Sequence, residues 1–91
     1  MIESAQFFND MGVKMAMEGL HNEAIACLKK GLTFEPDNGL IWLNLGLSYY
    51  AAENQMDCKF ALSQSIKYNP EEPDAWDSLG LVLFKLGELD Q

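Results

Sequence analysis

The sequence predicts an all-α fold, a stack of five helices that pair in antiparallel fashion. Two observations support this prediction. Apolar residues recur at helical spacing, as at Trp42, Leu45 and Tyr49, which share one helical face. The sequence also repeats itself after 34 residues, a period typical of arrays of helical hairpins. The residues aligned by this shift are Gly12 with Gly46 and Gly80, Leu28 with Leu62, Phe34 with Tyr68, Pro36 with Pro70, Trp42 with Trp76, and Leu45 with Leu79.

The first pair of helices is expected at about 4–18 and 23–34. Ser4 is a suitable N-cap for the first helix, and Asn22 for the second. Gly19 suits the left-handed residue that ends a helix. The predicted packing stripes are Phe8, Met11, Gly12 and Met15 on the first helix and Ala24, Cys27, Leu28, Gly31 and Leu32 on the second.

The third helix is expected at the centre of the stack. Pro36 disfavours helix at Glu35, and the third helix then covers about 40–53. This segment is apolar almost all round, so neighbouring helices should enclose it on several sides. The turn after it, at Asn54 and Gln55, lacks the glycine found in the first turn.

The last two helices follow the same pattern. The fourth covers about 56–68, and the segment 69–73 ends it. Pro73 occupies the first turn of the fifth helix, where a missing N–H group costs nothing. This helix covers about 73–86, and Gly87 begins another turn.

The 34-residue unit resembles the tetratricopeptide repeat family. The second unit matches through Trp42, Leu45, Gly46, Tyr49, Cys58 at the usual Ala position, Leu62, Ser65 and Pro70. The first unit is a looser copy, with Phe8, Met11, Gly12, Met15, Ala24, Leu28, Gly31 and Pro36. The third unit begins with Trp76, Leu79 and Gly80 and has Leu83 where Tyr is usual. The resemblance implies a right-handed solenoid within a single domain (1–91), made of a repeat at 5–38, a repeat at 39–72 and a half repeat at 73–91.

The composition indicates a folded chain that does not bind nucleic acid. With 48% hydrophobic residues among 91, the chain is too apolar to be disordered. Its 14 acidic and 6 basic side chains give a net charge of -8, which suits neither a phosphate backbone nor an anionic membrane. The N-terminus lacks the features of a signal peptide, and no stretch approaches the roughly 18 apolar residues of a membrane span. We therefore expect a cytoplasmic protein with a cationic or apolar partner.

Few residues have the chemistry for catalysis or metal binding. His21, the sole histidine, is expected to be an exposed turn residue, and no Ser/His/Asp or Cys/His set can be assembled around it. Cys27 and Cys58 are predicted to be reduced thiols that pack as small hydrophobic side chains. Two cysteines and one histidine are too few for a metal site. We predict no enzymatic activity, no cofactor and no metal.

The resemblance places a binding surface on the first helix of each unit, because in the family these helices line a concave groove for a peptide or a partner helix. The groove positions carried over to this chain are Asn9, Val13, Met17, Leu43, Asn44, Leu47, Tyr50, Asp74, Asp77, Leu81 and Phe84, and the same face includes Gln6, Ala16, Leu40, Ala51 and Lys85. An apolar groove with acids at one end suits an amphipathic helix or peptide with aliphatic anchors and Lys or Arg flanks. The alternative is that some of these apolar residues pack between adjacent helices.

One subset of the family binds acidic C-terminal tails of chaperones through a clamp of two Lys, two Asn and an Arg. The matching positions hold Asn9 for Lys, Val13 for Asn, Asn44 for Asn, Asp74 for Lys and Ser78 for Arg. Only Asn44 agrees, and Asp74 reverses a charge. Capture of an acidic tail is therefore disfavoured, because like charges repel.

The alternative function is self-association through the C-terminal helix. By the phase of the first two units, the small residue of a sixth helix would come just after Gln91. We therefore expect a piece of a longer repeat protein, or a module that another chain completes. Leu79, Leu83 and Leu86 are the candidates for a homodimer contact. The closest helix crossings are expected at the small residues Gly12, Ala24, Gly31, Gly46, Cys58, Ser65 and Gly80.

Overall fold

The computed structural model describes residues 3–88, which form five α-helices and, within that range, no strand. The helices are α1 (Ala5–Met17), α2 (His21–Phe34), α3 (Gly39–Ala51), α4 (Gln55–Tyr68) and α5 (Pro73–Lys85). The molecule measures 50 × 26 × 17 Å, as expected for a row of helix pairs. The predicted all-α solenoid is confirmed, while the right-handed sense and the repeat boundaries stay predictions.

The order of helix packing creates two different faces. Each helix packs against the next helix along the chain, and α3 also contacts α1 and α5. Within residues 3–88, α2 and α4 do not contact each other. The first helices of the units therefore lie closer together and form the concave face, and α2 and α4 form the convex face. Contact of α3 with all four other helices confirms the enclosure predicted from its apolar surface.

In both complete helix pairs, a leucine side chain lies over a glycine. A Cβ atom built on Gly12 would lie 2.7 Å from Leu28 Cγ, and one built on Gly46 would lie 2.7 Å from Leu62 Cδ2. Both leucines are fully buried. A side chain at either glycine would overlap the leucine, so the predicted crossings at Gly12 and Gly46 are confirmed.

Gly80 differs from these two glycines. Among residues 3–88, no atom outside its own helical backbone and chain neighbours lies within 4 Å of a Cβ atom built on it. The prediction of a close helix crossing at Gly80 is therefore wrong for the described residues, because no described helix follows α5.

The core consists of two clusters that share Tyr49 at their boundary. The buried members are Ala5, Leu28, Ile41, Leu45 and Ala61 in the first cluster and Leu43, Cys58, Leu62, Ala75 and Val82 in the second. A close approach that the sequence analysis did not identify occurs at Gly39, whose carbonyl accepts a hydrogen bond from Ser65 Oγ at 2.9 Å. A Cβ on Gly39 would lie 2.8 Å from Asn69 Cβ, so glycine is required here as well.

Helices α2, α3 and α4 begin one or two residues earlier than predicted. Ser4 caps α1 as expected, and its Oγ accepts a hydrogen bond from the Phe7 N–H at 3.1 Å. However, α2 begins at His21, so the predicted cap Asn22 lies inside the helix. Similarly, α4 begins at Gln55, and neither of these two starts has a side-chain cap.

The turns after α1, α3 and α5 share a left-handed residue. Gly19 has φ 81°, Gly87 has φ 73°, and Glu53 has φ 62°. The turn after α3 therefore contains a left-handed residue, as the turn after α1 does, but that residue is Glu53 and not a glycine. A left-handed conformation costs a residue with a side chain roughly 1–2 kcal/mol.

We predict opposite effects of alanine at two equivalent glycines. Gly46→Ala should lower the free energy of unfolding by about 1–3 kcal/mol, because the new methyl group overlaps Leu62. The matched Gly80→Ala substitution should raise it by up to about 1 kcal/mol, because alanine favours helix and meets open space. Urea unfolding followed by circular dichroism measures both. Equal effects at the two positions would contradict the assigned helix packing.

We also predict that Glu53→Gly stabilises the protein. Removing the side chain relieves the left-handed strain, and part of this gain is offset by the greater freedom of glycine in the unfolded chain. The free energy of unfolding should rise by about 0.5–1 kcal/mol. Gly19→Ala, the matched control, should lower it because alanine takes on the same strain. Thermal unfolding measures both, and a loss of stability in Glu53→Gly would count against this explanation of the turn.

Candidate functional site

The candidate site is the concave face formed by α1, α3 and α5. Nine of the predicted groove residues are exposed or half-buried there: Val13, Met17, Asn44, Leu47, Tyr50, Asp74, Asp77, Leu81 and Phe84. The other two require correction, since Asn9 is only 7% exposed and Leu43 only 4%. Leu43 packs in the second core cluster, as the alternative of packing between helices predicts. Neither residue is available to a ligand.

A cleft of about 250 Å³ opens between the C-terminal parts of α1 and α3. Its lining consists of Val13, Ala16, Met17, His21, Leu28, Asn44, Leu47, Ser48 and Ala51. Most of these side chains are apolar, and Met17 is 82% exposed at the rim. The cleft has the chemistry to accept an aliphatic side chain of a ligand.

His21 lies in the wall of this cleft. The prediction of an exposed turn residue is wrong, because α2 begins at His21 and the ring is half-buried. Its Nδ1 atom is buried and has no hydrogen-bond partner among residues 3–88. The sequence analysis missed this placement because it began α2 two residues too late, which left His21 in the turn.

A hydrogen bond between two asparagines fixes α3 on α1. Asn44 Nδ2 donates to Asn9 Oδ1 at 2.9 Å. The bond satisfies the Oδ1 atom of the buried Asn9 side chain. It uses one of the two N–H donors of Asn44, the one residue that agrees with the acidic-tail clamp.

The second half of the groove, between α3 and α5, combines an apolar strip with charges at its ends. Leu47, Leu81 and Phe84 are 41%, 55% and 70% exposed. Lys85 Nζ lies 4.8 Å from the centre of the Tyr50 ring, within cation–π distance. Asp74 and Asp77 are exposed toward the opposite end of α5. The pairing of Lys85 with Tyr50 was not predicted, although both residues were assigned to this face.

The predicted self-association residues are only partly accessible. Leu79 and Leu86 pack against the second core cluster, and Leu83 is half-buried. A more exposed residue on α5 is Trp76, at 52%. Its Nε1 donates to the Pro70 carbonyl at 2.8 Å, as Trp42 Nε1 does to the Pro36 carbonyl.

The two cysteines lie in different environments. Cys58 is fully buried, and burial raises the pKa of its thiol to about 11, so it stays a neutral thiol at neutral pH. Cys27 is half-buried, and its Sγ lies 3.7 Å from Met15 Sδ. In the described part of the chain, no group of three or more His, Cys, Asp or Glu side chains is arranged to hold a metal ion. None of the helices α1 to α5 has the length and apolarity needed to span a bilayer.

Comparison with protein families and with curated proteins finds helical repeats. A family model described as TPR repeat matches residues 18–52. A curated relative, the tetratricopeptide repeat-containing protein trd-1 of Caenorhabditis elegans, is 28% identical over 69 residues. The match covers 76% of this chain and 9% of that protein, so this chain spans only a small part of its relative's length.

Three solved structures have similar folds. The first TPR of Spaghetti (RPAP3), bound to HSP90 peptide SRMEEVD, gives a TM-score of 0.87 at 23% identity over 92% of this chain and 68% of that one. The second TPR of the same protein, bound to the same peptide, gives 0.91 at 24% identity over 93% and 79%. MamA gives 0.89 at 27% identity over 92% of this chain and 49% of that one.

Proposed function

We propose that the chain is a non-catalytic protein–protein interaction module of the tetratricopeptide repeat family, which its repeat match and its curated relative support. Its concave face binds an apolar or amphipathic peptide or helix with basic flanks. The partner is a protein, not nucleic acid or a membrane, and we place the interaction in the cytoplasm.

The observation that carries this proposal is the row of accessible apolar side chains along the concave face. The row begins at the cleft beside Met17 and continues through Leu47 to Leu81 and Phe84. Apolar side chains that are exposed together on one face are typical of interaction surfaces. All four residues lie on helices, so their backbone positions are set before a ligand arrives, which lowers the entropy cost of binding.

The charges of the groove favour a ligand with lysine or arginine near one end. Asp74 and Asp77 are exposed on α5, and the whole chain has a net charge of -8. Both features attract a cationic segment and speed its association. Lys85 lies over Tyr50 and provides a single positive charge farther along α5.

An acidic tail fits this face poorly. The peptide bound by the two RPAP3 domains, SRMEEVD, carries three acidic side chains. In this chain, Asp74 stands at a clamp position and would repel them. We infer that this groove recognises a different sequence.

Fluorescence anisotropy with two labelled peptides tests the proposal. An amphipathic, leucine-containing peptide with lysines at its ends should bind, and SRMEEVD should not. Leu47→Asn together with Tyr50→Ser should weaken binding of the first peptide at least about tenfold, because both side chains lose apolar contact. Met56→Asn is the matched control, since Met56 is 61% exposed on α4, outside the groove.

Two further results in the same assay bear on the proposal. Asp74→Asn together with Asp77→Asn should weaken binding more at low than at high salt, because salt screens exposed charges. If the groove variant binds as tightly as the original protein, or if SRMEEVD binds better than the lysine-flanked peptide, the proposed groove chemistry is wrong.

Self-association through α5 is the second candidate function. The exposed Trp76 ring and the open side of Gly80 favour it, because they leave apolar surface on α5 accessible. A net charge of -8 on each copy opposes it, since two copies repel each other. The concave face therefore remains the first proposal.

A further inference from the structure

We propose that the cleft between α1 and α3 binds an aromatic side chain of a partner protein, together with a lysine or arginine beside it. The partner then supplies between α1 and α3 the pair of side chains that Tyr50 and Lys85 supply between α3 and α5. This inference rests on the function proposed for the groove, and it adds which ligand side chains bind in the cleft.

The two halves of the groove differ at two pairs of equivalent positions. A shift of 34 residues aligns Ala16 with Tyr50 and Ala51 with Lys85. Between α3 and α5, Lys85 Nζ lies 4.8 Å from the centre of the Tyr50 ring, and Tyr50 packs against the second core cluster. Between α1 and α3, both positions carry only a methyl group, and both alanines line the cleft. The cleft is therefore open where the other half of the groove holds an aromatic ring and a cation.

The cleft has the size and the walls for an aromatic ring. Its volume is about 250 Å³, and a cavity of about 150 Å³ is enough to hold benzene. Met17 lies at the rim, and its sulfur atom can make a favourable contact with the edge of a ring. Asn44 and Ser48 also line the cleft, and each has an oxygen that can accept a hydrogen bond from a tyrosine or tryptophan. An aliphatic side chain would fill less of this space and would donate no hydrogen bond.

The charges around the cleft favour a cation beside the ring. The last turn of α5 carries Lys85, whereas the last turn of α3 carries no basic residue. The C-terminal end of a helix has a partial negative charge, which attracts a cation. Glu18 and Glu53, which follow α1 and α3, are both exposed. Lys14, the basic residue in the last turn of α1, lines a different pocket. A lysine or arginine of the ligand would therefore find unopposed negative charge beside Ala51.

The rest of the sequence does not supply this pair. The walls of the cleft belong to α1, α2 and α3, so the cleft is complete within the described residues. Each helix packs on the next one along the chain, so a helix before α1 or after α5 would lengthen the row and leave the cleft open. Residues 1–2 and 89–91 include no aromatic or basic side chain. A second copy of the chain is a poor occupant, because each copy has a net charge of -8.

Methyl NMR of the full chain with N-acetyl-tyrosyl-lysine amide tests the inference, because this probe carries little besides the proposed pair. Titration should shift the methyl signals of Ala16, Met17 and Ala51 saturably, while the methyl signal of Met56, exposed on α4, stays in place. The matched probe N-acetyl-alanyl-lysine amide should bind at least about tenfold more weakly, because it lacks the ring. N-acetyl-leucyl-lysine amide should bind with an affinity between the two.

A variant that fills the cleft tests the same inference from the side of the protein. Ala16→Tyr with Ala51→Lys should abolish binding of the tyrosine probe, as judged by the Met17 methyl signal, because the chain then supplies its own pair. Ala26→Tyr with Ala52→Lys is the matched control. It adds the same two side chains at exposed positions outside the cleft and should leave binding unchanged. Circular dichroism should show the same helix content for both variants.

Three results would overturn the inference. The tyrosine probe could bind no better than the alanine probe, or the variant that fills the cleft could bind it as tightly as the original chain. Light scattering could also show a dimer of the free chain that Ala16→Tyr dissociates, which would assign the cleft to a second copy. The function proposed for the groove fails on a different result. If the tyrosine probe binds as expected and the leucine-containing peptide does not, the groove proposal is wrong and the chemistry of the cleft is supported.

Discussion

The contact of a leucine side chain with a helical glycine determines the geometry of this molecule. At Gly12 and Gly46 the absence of a side chain lets the paired helices approach, and Leu28 and Leu62 fill the space between them. Because the contact recurs after 34 residues, the first helices of successive units present equivalent positions to the same side. The concave face follows from this repetition, as does the unfilled position at Gly80. The helix packing thus follows one rule, which the third unit follows only in part among the described residues.

The two halves of the concave face are not equivalent, because different side-chain contacts join α1 to α3 and α3 to α5. The hydrogen bond from Asn44 to Asn9 fixes α3 on α1 and satisfies the Oδ1 atom of the buried Asn9 side chain. Between α3 and α5, the Lys85 ammonium group lies over Tyr50, and no comparable pair links α1 and α3 among the cation–π contacts of residues 3–88. One half of the groove is therefore an apolar cleft, whereas the other half combines apolar and charged side chains.

The sequence was sufficient to predict the five helices. The 34-residue period and the helical spacing of the apolar residues can both be seen in the sequence without knowing which helices pack together. Predictions that depended on neighbours failed in identifiable ways. Leu43 was assigned to the groove, but α3 is enclosed by four helices and this side chain points into the second cluster. Gly80 was assigned to a crossing on the basis of periodicity, although periodicity does not supply the opposing helix. The start of α2 was predicted at a good capping residue, Asn22, whereas the helix starts at His21 without a side-chain cap, and the His21 ring lines the cleft.

Amide hydrogen exchange of the free chain is the most direct test of the central role of the leucine–glycine contact. Helix α3 takes part in a complete contact and touches all four other helices, whereas α5 lacks a leucine over its glycine among the described residues. The slowest amides of α3 should therefore exchange only with global unfolding, and those of α5 should exchange faster through local opening. Equal protection of α3 and α5 would contradict the account, since it would mean that a helix in this fold reaches full stability without the contact.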